Sequence, residues 1–195
     1  MAQAQASAAT SRSRRTVHLQ DFGAIAAGYT EWVLDRPLTI GLFQAFVDEL
    51  APQLSGRPGA KILDVASAAG EPAFTLARAL PQARRCLLRQ PACMHSCRLG
   101  RATVYATDIA VEFVGLAEQR AVRQGLTNVV CQQADAERLA QFGDGSVDAV
   151  TCCMGLMFVP NVASAFAAFR RVLRPGGVLG YRLAAGRGGT FLRCP

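Results

Sequence analysis

Beyond a break at residues 55–59, the sequence alternates between short apolar runs and longer runs with apolar residues at helical spacing. This alternation constrains the possible folds more than any other feature. The break reads Ser-Gly-Arg-Pro-Gly, all turn-forming or flexible residues. Strands that alternate with helices pair in parallel through right-handed crossovers. The pattern therefore predicts an α/β domain with a doubly wound, mostly parallel sheet.

The period of each run gives the expected elements. Strands are predicted at 61–65, 103–107, 128–132, 147–153 and 178–183. Helices are predicted at 22–34, 39–54, from Pro72 onward, 109–124 and 161–173. Together these elements would make residues 21–183 one domain. Residues 184–195 are rich in Gly and Arg and show no period, so they are expected to form an irregular tail and to leave the edge of the fifth strand exposed.

Composition narrows the class of protein. The 195 residues are 51% hydrophobic, which is enough for the core of one domain. No apolar run approaches the roughly 18 residues that a membrane-spanning helix needs, so no such helix is expected. The net charge of +7 is concentrated in two arginine clusters, at residues 12–15 and 84–101. Because the positive charge belongs to these two local segments and little remains for the rest of the chain, no nucleic-acid partner is expected.

Two features bear on the cellular compartment. The seven cysteines are an odd number and include the adjacent pair Cys152 and Cys153 in a predicted strand. This usage favours a reducing, cytoplasmic environment over a disulfide framework. Residues 1–20 contain no acidic residue. Such a segment is either a disordered tail or a weak transit signal for a mitochondrion or plastid, and the sequence leaves both open.

An unusual segment precedes the second predicted strand. In a nucleotide-binding βαβ unit, the acid that ends the second strand follows the glycine loop by about 20 residues, whereas Asp108 follows Gly70 by 38. The surplus is residues 85–102, "RCLLRQPACMHSCRLGRA", which contain no acid and no period. Its three cysteines and His95 match no standard ligand spacing, so no metal site is predicted. The segment is either a surface loop or a translated non-coding stretch.

The first strand-to-helix loop is the main candidate for ligand binding. Residues 64–70 read Asp-Val-Ala-Ser-Ala-Ala-Gly, in which small residues let a ligand approach the backbone ahead of a helix N-terminus. Alanine adopts positive φ only at a cost, so Ala66 and Ala68 predict a less extreme turn than glycine would make. Taken alone, the loop is nearly as consistent with a purely structural turn.

Further acids are expected at the same edge of the sheet. Asp108 ends the second strand, where its carboxylate could accept hydrogen bonds from ribose hydroxyls, and Ile109 could lie against an adenine. Asp135 follows the third strand, within reach of an adenine amino group. Either acid could instead cap a helix. Three such loops at the carboxyl ends of parallel strands favour a nucleotide-type site, because doubly wound sheets bind ligands there.

Five stretches together resemble the successive motifs of one enzyme family. They are "ILDVASAAGEPAFTLA", "VYATDIA", "CQQADAERL", "DGSVDAVTCCMGLMFVPN" and "AFRRVLRPGGVL". The family is the class I S-adenosylmethionine-dependent methyltransferases, and the likeness is greatest to the group with the ubiquinone and menaquinone biosynthesis methyltransferases. It covers about residues 20–180 apart from the insert. The resemblance implies a Rossmann-like methyltransferase fold and methyl transfer from S-adenosylmethionine to a small-molecule acceptor, such as a quinone, lipid or other metabolite.

The resemblance also implies which residues contact the cofactor. Around its methionine moiety would lie Asp64, Ala66, Ser67, Ala68 and Gly70. Around its ribose and adenine would lie Asp108, Ile109, Asp135 and Ala136. Cys152 and Cys153 would face it from the fourth strand, and the helix of Tyr29 would close over it. The cysteine pair is equally consistent with a strand core, and Tyr29 with a packing role.

Two departures from the family leave a second function open. Glycines expected at positions 66 and 68 are absent, and the terminal antiparallel hairpin that usually completes a seven-stranded sheet has no counterpart after the fifth predicted strand. No catalytic base is assigned, because His18 lies in the N-terminal tail and His95 in the insert. The alternative is a truncated, catalytically silent methyltransferase-like domain that binds the cofactor or a partner without turnover.

Overall fold

The computed structural model describes residues 36–54, 57, 59–80, 102–183 and 189–195, together with Ala26 and Gly28. Six strands within these residues form one sheet, in the order β3-β2-β1-β4-β5-β6. They are β1 (Lys61–Val65), β2 (Thr103–Asp108), β3 (Val129–Gln133), β4 (Val147–Cys153), β5 (Leu173–Arg182) and β6 (Thr190–Arg193). The first five pair in parallel, and β6 runs antiparallel to β5. The predicted doubly wound, mostly parallel sheet is confirmed.

Four helices connect or flank these strands in the described part of the chain. They are α1 (Pro37–Leu54), α2 (Ala73–Ala79), α3 (Val111–Arg123) and α4 (Val162–Val172). A short 3₁₀ turn spans Leu156–Phe158. The predicted helix at 22–34, including Tyr29, and residues 85–101 of the insert lie outside the described residues, apart from the helical Ala26 and Gly28. None of the described helices is long and apolar enough to cross a lipid bilayer.

The core lies on both faces of the sheet because the side chains of a strand alternate in direction. Ile62 packs in a buried cluster with Phe46 of α1 and Phe74 of α2. Its neighbour Leu63 packs in a second cluster with Phe169 of α4. All seven residues of β4 are buried, as expected for a central parallel strand that is covered on both faces. In the centre of the sheet this double covering leaves the ends of the strands as the accessible part.

Residues 174–177, which separate the predicted helix at 161–173 from the predicted strand at 178–183, instead form a bulge inside β5. Val147 pairs with Leu173, whereas Ala149 pairs with Val178. The extra residues on β5 carry Gly176, which has a positive φ of 70°. β5 thus begins to pair with β4 directly after α4. The pairing is interrupted by the bulge and resumes at Val178.

Within the tail that was predicted to be irregular, residues 190–193 form a strand, and this strand covers the edge of β5 that was expected to be exposed. Thr190–Arg193 forms β6, which pairs with β5 from Tyr181 to Val178. The ring of Phe191 packs against that of Phe46, with centroids 5.2 Å apart. Gly180 provides the room, because a Cβ there would lie 2.8 Å from Cε1 of Phe191. A four-residue strand next to glycines has too few positions to show alternation, and its stabilising contact comes from α1.

Candidate cofactor site

A cavity of about 140 Å³ lies at the carboxyl edge of the sheet. β1 lies between β2 and β4, so the connections diverge to opposite sides here, as at the usual ligand site of doubly wound sheets. The wall comes from the loops after the first four strands and from α3. Its residues are Val65, Ala66, Ala68, Asp108, Ile109, Phe113, Ala134, Asp135, Ala136, Glu137, Cys153, Met154, Gly155, Phe158, Val159 and Pro160.

The predicted cofactor residues divide into two groups. Those on the cavity wall are Ala66, Ala68, Asp108, Ile109, Asp135 and Ala136. Those beside it but not on its wall are Asp64, Ser67, Gly70 and Cys152. Tyr29 lies outside the described residues. The nearby Ala26 is buried against Ala69, Ala110 and Phe113, so part of the predicted N-terminal helix packs beside the cavity.

The loop after β1 makes a sharper turn than predicted. Ala66 and Ala68 have φ values of 56° and 47°, both in the left-handed region, and Gly70 has a φ of 109°. The expectation of a less extreme turn was therefore wrong. Left-handed backbone costs an alanine roughly 1–2 kcal/mol, and such strain persists only where surrounding contacts over-determine the conformation.

Hydrogen bonds to the next strand hold this loop in place. The Ser67 N–H donates to the Thr107 carbonyl at 2.9 Å, and the Ala68 N–H donates to Oδ2 of Asp108 at 3.0 Å. From the other side, the Arg120 guanidinium donates to the Ala69 carbonyl. These partners stabilise the alanine turn without glycine's conformational freedom.

Arg120 also supports the loop from below. Its guanidinium lies over the ring of Phe74, 5.1 Å from the centroid, and 3.8 Å from Oε1 of Glu71. Phe74 in turn explains Gly70, because a Cβ on Gly70 would lie 2.3 Å from the Phe74 ring. Gly70 is thus required both by its φ and by the packing of α2.

Asp64 acts inside the protein rather than on the cavity wall. Its carboxylate accepts hydrogen bonds from the Thr151 hydroxyl at 2.5 Å and from the Ala73 N–H, at the start of α2, at 3.2 Å. Complete burial raises the pKa of Asp64 from 3.8 to about 7, against the lowering effect of these hydrogen bonds. Asp64 therefore joins β1, β4 and α2 underneath the loop.

The raised pKa of Asp64 predicts a measurable pH dependence of stability. The folded protein retains a proton that the unfolded chain has lost, so the free energy of unfolding falls as pH rises from about 4 to the folded pKa of about 7. Between pH 6 and pH 8 the wild type should lose ~1.4 kcal/mol more than Asp64→Asn, as measured by urea denaturation. The exposed Asp144→Asn is the control, and an equal pH slope in Asp64→Asn would exclude this role.

Asp108 holds two loops together and also lies on the cavity wall. Oδ1 accepts the Ala110 N–H at 3.0 Å, just before α3, and Oδ2 accepts the Ala68 N–H. The residue is only 9% exposed, and burial raises the pKa of its carboxyl group. Each carboxylate oxygen has a second lone pair, so the group can stabilise two loops and still accept hydrogen bonds from a ligand.

The adenine side of the predicted site is similarly organised. Oδ1 of Asp135 accepts the Glu137 N–H at 2.9 Å, and the side chain still contributes to the cavity wall. Gln133 donates to the Ile109 carbonyl at 2.8 Å, which links the loops after β2 and β3. Ile109 is 39% exposed, so it offers an apolar surface at the mouth of the cavity.

The two cysteines at the end of β4 differ in position. Cys153 lies on the cavity wall, whereas Cys152 packs in the core cluster on the α4 side. Burial raises the pKa of the Cys153 thiol to about 12 and raises that of Cys152 as well. Both thiols are therefore protonated near neutral pH, and neither is a nucleophile there.

Sequence reasoning missed most of the wall that follows β4. Met154, Gly155, Phe158, Val159 and Pro160 all contribute to it. The available signal was their position, because "MGLMFVPN" directly follows a buried parallel strand. Glu137, directly after the predicted Ala136, was missed as well.

Comparisons with known proteins show which family the chain resembles. Residues 89–180 match a family described as "Methyltransferase domain". The mitochondrial 2-methoxy-6-polyprenyl-1,4-benzoquinol methylase of Arabidopsis thaliana is 30% identical over 159 residues, which cover 80% of this chain and 53% of the relative. The ubiquinone/menaquinone biosynthesis C-methyltransferase UbiE of Rhizobium johnstonii is 32% identical over 163 residues, covering 82% and 55%. Over about four-fifths of its length the chain therefore resembles the class I S-adenosylmethionine-dependent methyltransferases of the UbiE-like group.

The chain also shares its fold with solved structures. A SAM-dependent methyltransferase from Aquifex aeolicus superposes with a TM-score of 0.57 at 20% identity, over 76% of this chain and 68% of that one. The chain spans about half the length of the curated relatives named above. S-adenosylmethionine is the cofactor that the resemblance to this family indicates.

The cavity at the carboxyl edge of the sheet has features that fit this cofactor. The buried carboxylate of Asp108 lies on the wall, and its oxygens have further lone pairs beyond those that accept the Ala68 and Ala110 N–H groups. These lone pairs can accept hydrogen bonds from the two hydroxyl groups of a ribose. Small residues, Ala66 and Ala68, bring backbone close to the cavity. Apolar side chains, including Ile109 and Val159, provide the faces against which a planar base can pack.

Proposed function

We propose that this domain binds S-adenosylmethionine in the described cavity and transfers its methyl group to a small-molecule acceptor of the quinone, lipid or metabolite type. The observation that carries the proposal is Asp108, a carboxylate at the end of β2 that holds the β1 loop and faces the cavity. The identity of about 30% to quinone methylases supports a quinol-like acceptor.

Specific residues would hold the cofactor. Asp108 would accept hydrogen bonds from the ribose hydroxyls, and Ile109 with Ala136 would pack against the adenine. Asp135 would accept a hydrogen bond from the adenine amino group. The loop from Ala66 to Ala68 would lie along the methionine moiety. Asp64, Ser67 and Gly70 would act indirectly, because they shape this loop from beneath the wall.

Methyl transfer needs positioning and exclusion of water more than covalent help from the protein. When bound, S-adenosylmethionine supplies an electrophilic methyl group on its sulfonium sulfur. Phe158, Val159 and Pro160 line the cavity after β4 and would shield this region from water. Close packing there would favour the one acceptor orientation in which the nucleophile is in line.

The wall favours an acceptor that needs little help with deprotonation. Each carboxylate among its described residues, Asp108, Asp135 and Glu137, already accepts a backbone N–H. The pKa of Cys153 of about 12 keeps the thiol protonated. An electron-rich or readily ionised ring, such as a hydroquinone, requires less base catalysis than an aliphatic alcohol does.

Mass spectrometry of methyl transfer tests the proposal directly. The full chain, incubated with S-adenosylmethionine carrying a deuterated methyl group and a demethylated polyprenyl benzoquinol, should yield a product heavier by one labelled methyl group. A benzoquinol whose ring positions are all substituted is the matched control acceptor. Cofactor binding without product from quinol, phospholipid or small-metabolite acceptors would contradict methyl transfer by this chain.

That contrary result would favour a second candidate, a domain that binds the cofactor or a partner without turnover. The observation behind it is the loop after β1, where Ala66 and Ala68 replace the glycines that the family resemblance leads us to expect. Absence of S-adenosylhomocysteine release with every acceptor, together with retained cofactor affinity, is its expected signature.

A mitochondrial location is supported by two observations. Residues 1–20 contain no acidic residue, and the relatives in Arabidopsis thaliana and rice are named as mitochondrial proteins. A fluorescent protein fused behind residues 1–20 should then co-localise with a mitochondrial marker, whereas diffuse cytoplasmic fluorescence would indicate that the segment is no transit signal.

A further inference from the structure

Ala66 and Gly155 meet where the loops after two neighbouring strands, β1 and β4, form the cavity wall. A Cβ placed on Gly155 would lie 2.4 Å from the Cβ of Ala66 and 3.0 Å from Sγ of Cys152. Two carbon atoms cannot approach within 2.4 Å without a bond, since their optimal contact is about 3.5–4.0 Å. The methyl group of Ala66 thus occupies the place of a side chain at position 155.

The backbone at position 155 does not itself require glycine. Gly155 has a φ of −92° and a ψ of −35°, which is the right-handed helical region that every L-residue adopts. Gly70, by contrast, combines a close contact with a φ of 109°. The requirement for glycine at position 155 therefore comes from Ala66 and Cys152 alone.

The loop that carries Gly155 is held on both sides, so it cannot easily move away from Ala66. The Met154 N–H donates to the Arg182 carbonyl on β5 at 2.7 Å. The Gly155 carbonyl accepts the Phe158 N–H at 3.0 Å, which starts the 3₁₀ turn. Met154 itself has a positive φ of 61°, so both loops adopt constrained backbone where they meet.

We propose that Gly155 is a positioning residue for the cofactor loop. Its missing side chain receives the methyl group of Ala66 and thereby maintains the left-handed turn at Ala66. This inference rests on the proposed binding of S-adenosylmethionine in the cavity. An alanine at position 155 pushes Ala66 out of its turn, and the backbone of residues 66–68 then no longer borders the cofactor in its productive position.

A double-mutant cycle on the full chain tests the proposal, with S-adenosylmethionine affinity measured by isothermal titration calorimetry. Gly155→Ala should weaken binding at least about tenfold, as expected for overpacking of a close-packed site. The affinity of Ala66→Gly alone is measured as the reference for the double variant, because Ala66 itself lies on the cavity wall. The double variant Ala66→Gly/Gly155→Ala lacks the Cβ of residue 66 that would clash with the new alanine. Its affinity should therefore return to within about threefold of that of Ala66→Gly. After this change the nearest atoms to the new Cβ are Sγ of Cys152 at 3.0 Å and Cα of residue 66 at 3.7 Å.

Rescue by the second substitution distinguishes positioning from a general structural defect. Gly143→Ala is the matched control, because a Cβ on Gly143 meets no atom within 4 Å, and it should leave affinity unchanged. Urea denaturation of the cofactor-free variants gives an independent readout, in which the loss of stability in Gly155→Ala should also be relieved by Ala66→Gly. If Gly155→Ala does not fold, recovery of folding and binding in the double variant still supports the proposal.

Four results would overturn the inference in whole or in part. Wild-type affinity in Gly155→Ala would show that the loop does not depend on the empty position. A double variant no better than Gly155→Ala, in binding and in unfolding, would show that Ala66 is not the group in conflict. Failure of the wild type to bind S-adenosylmethionine would instead refute the proposed function and, with it, the positioning role. If the wild type binds but the effects of Gly155→Ala and Ala66→Gly on affinity are additive, the contact between Ala66 and Gly155 is refuted while the proposed function is not.

Discussion

Replacing Asp108 with alanine is expected to weaken S-adenosylmethionine binding about 100-fold or more. In the proposed complex the carboxylate accepts charge-assisted hydrogen bonds from the ribose, and hydrogen bonds to charged groups are stronger than neutral ones. The substitution also leaves the Ala68 and Ala110 N–H groups without their acceptor. Loss of the first loosens the cofactor loop, so both effects act in the same direction. Isothermal titration calorimetry on the folded variant measures the change.

Two further variants separate the roles of Asp108. Asp108→Asn keeps one oxygen that can accept a backbone N–H, so it should lose less stability than Asp108→Ala while its cofactor affinity remains strongly reduced. Asp144→Ala is the control, because this acid pairs with Arg171 at the surface and its side chain is 80% exposed. Affinity within threefold of wild type in Asp108→Ala would exclude Asp108 as the ribose ligand.

The order of elements and the position of the site could be predicted from local sequence. Alternating strand and helix periods imply parallel pairing, and parallel pairing places the end of every strand at one edge. For that reason Asp108, Asp135 and the loop after β1 could be assigned to one site before any contact was known. Each of these assignments follows from position along the chain alone.

The conformation of the β1 loop could not be predicted in the same way. Intrinsic preference argues against positive φ at Ala66 and Ala68, yet both adopt it. The deciding contacts come from elsewhere in the chain, namely the carboxylate of Asp108 and the vacant side-chain position at Gly155. Local preference fails where several tertiary contacts act on one residue.

The directions in which the side chains of Cys152 and Cys153 point could not be predicted from local sequence either. Sequence placed both residues at the end of a buried strand, which is correct. Only one of two adjacent strand residues can point to a given face, and the pattern of a strand buried on both faces does not indicate which one. The structure places Cys153 on the cavity wall and Cys152 in the core.

Phe191→Ala is expected to lower the free energy of unfolding by ~2–3 kcal/mol, somewhat less than for a fully buried phenylalanine because Phe191 is only partly buried. Its ring packs on Phe46 and occupies the space above Gly180. No other large side chain of β6 reaches the core, since Leu192 is 50% exposed. Without the ring, β6 would be kept on the sheet by the short antiparallel ladder and by the contacts of the adjoining Cys194. Urea denaturation measures the loss.

Hydrogen exchange determines whether that loss comes from detachment of β6. The amide protons in the β5–β6 ladder, between Val178 and Arg193, should exchange much faster in Phe191→Ala, whereas those between β1 and β4 should change only as far as global stability does. Leu192→Ala is the matched control on the same strand, with an expected cost below ~1 kcal/mol because its side chain is half exposed. Equal losses in the two variants would mean that the contact between Phe191 and Phe46 does not hold the strand, and that backbone pairing alone closes this edge of the sheet.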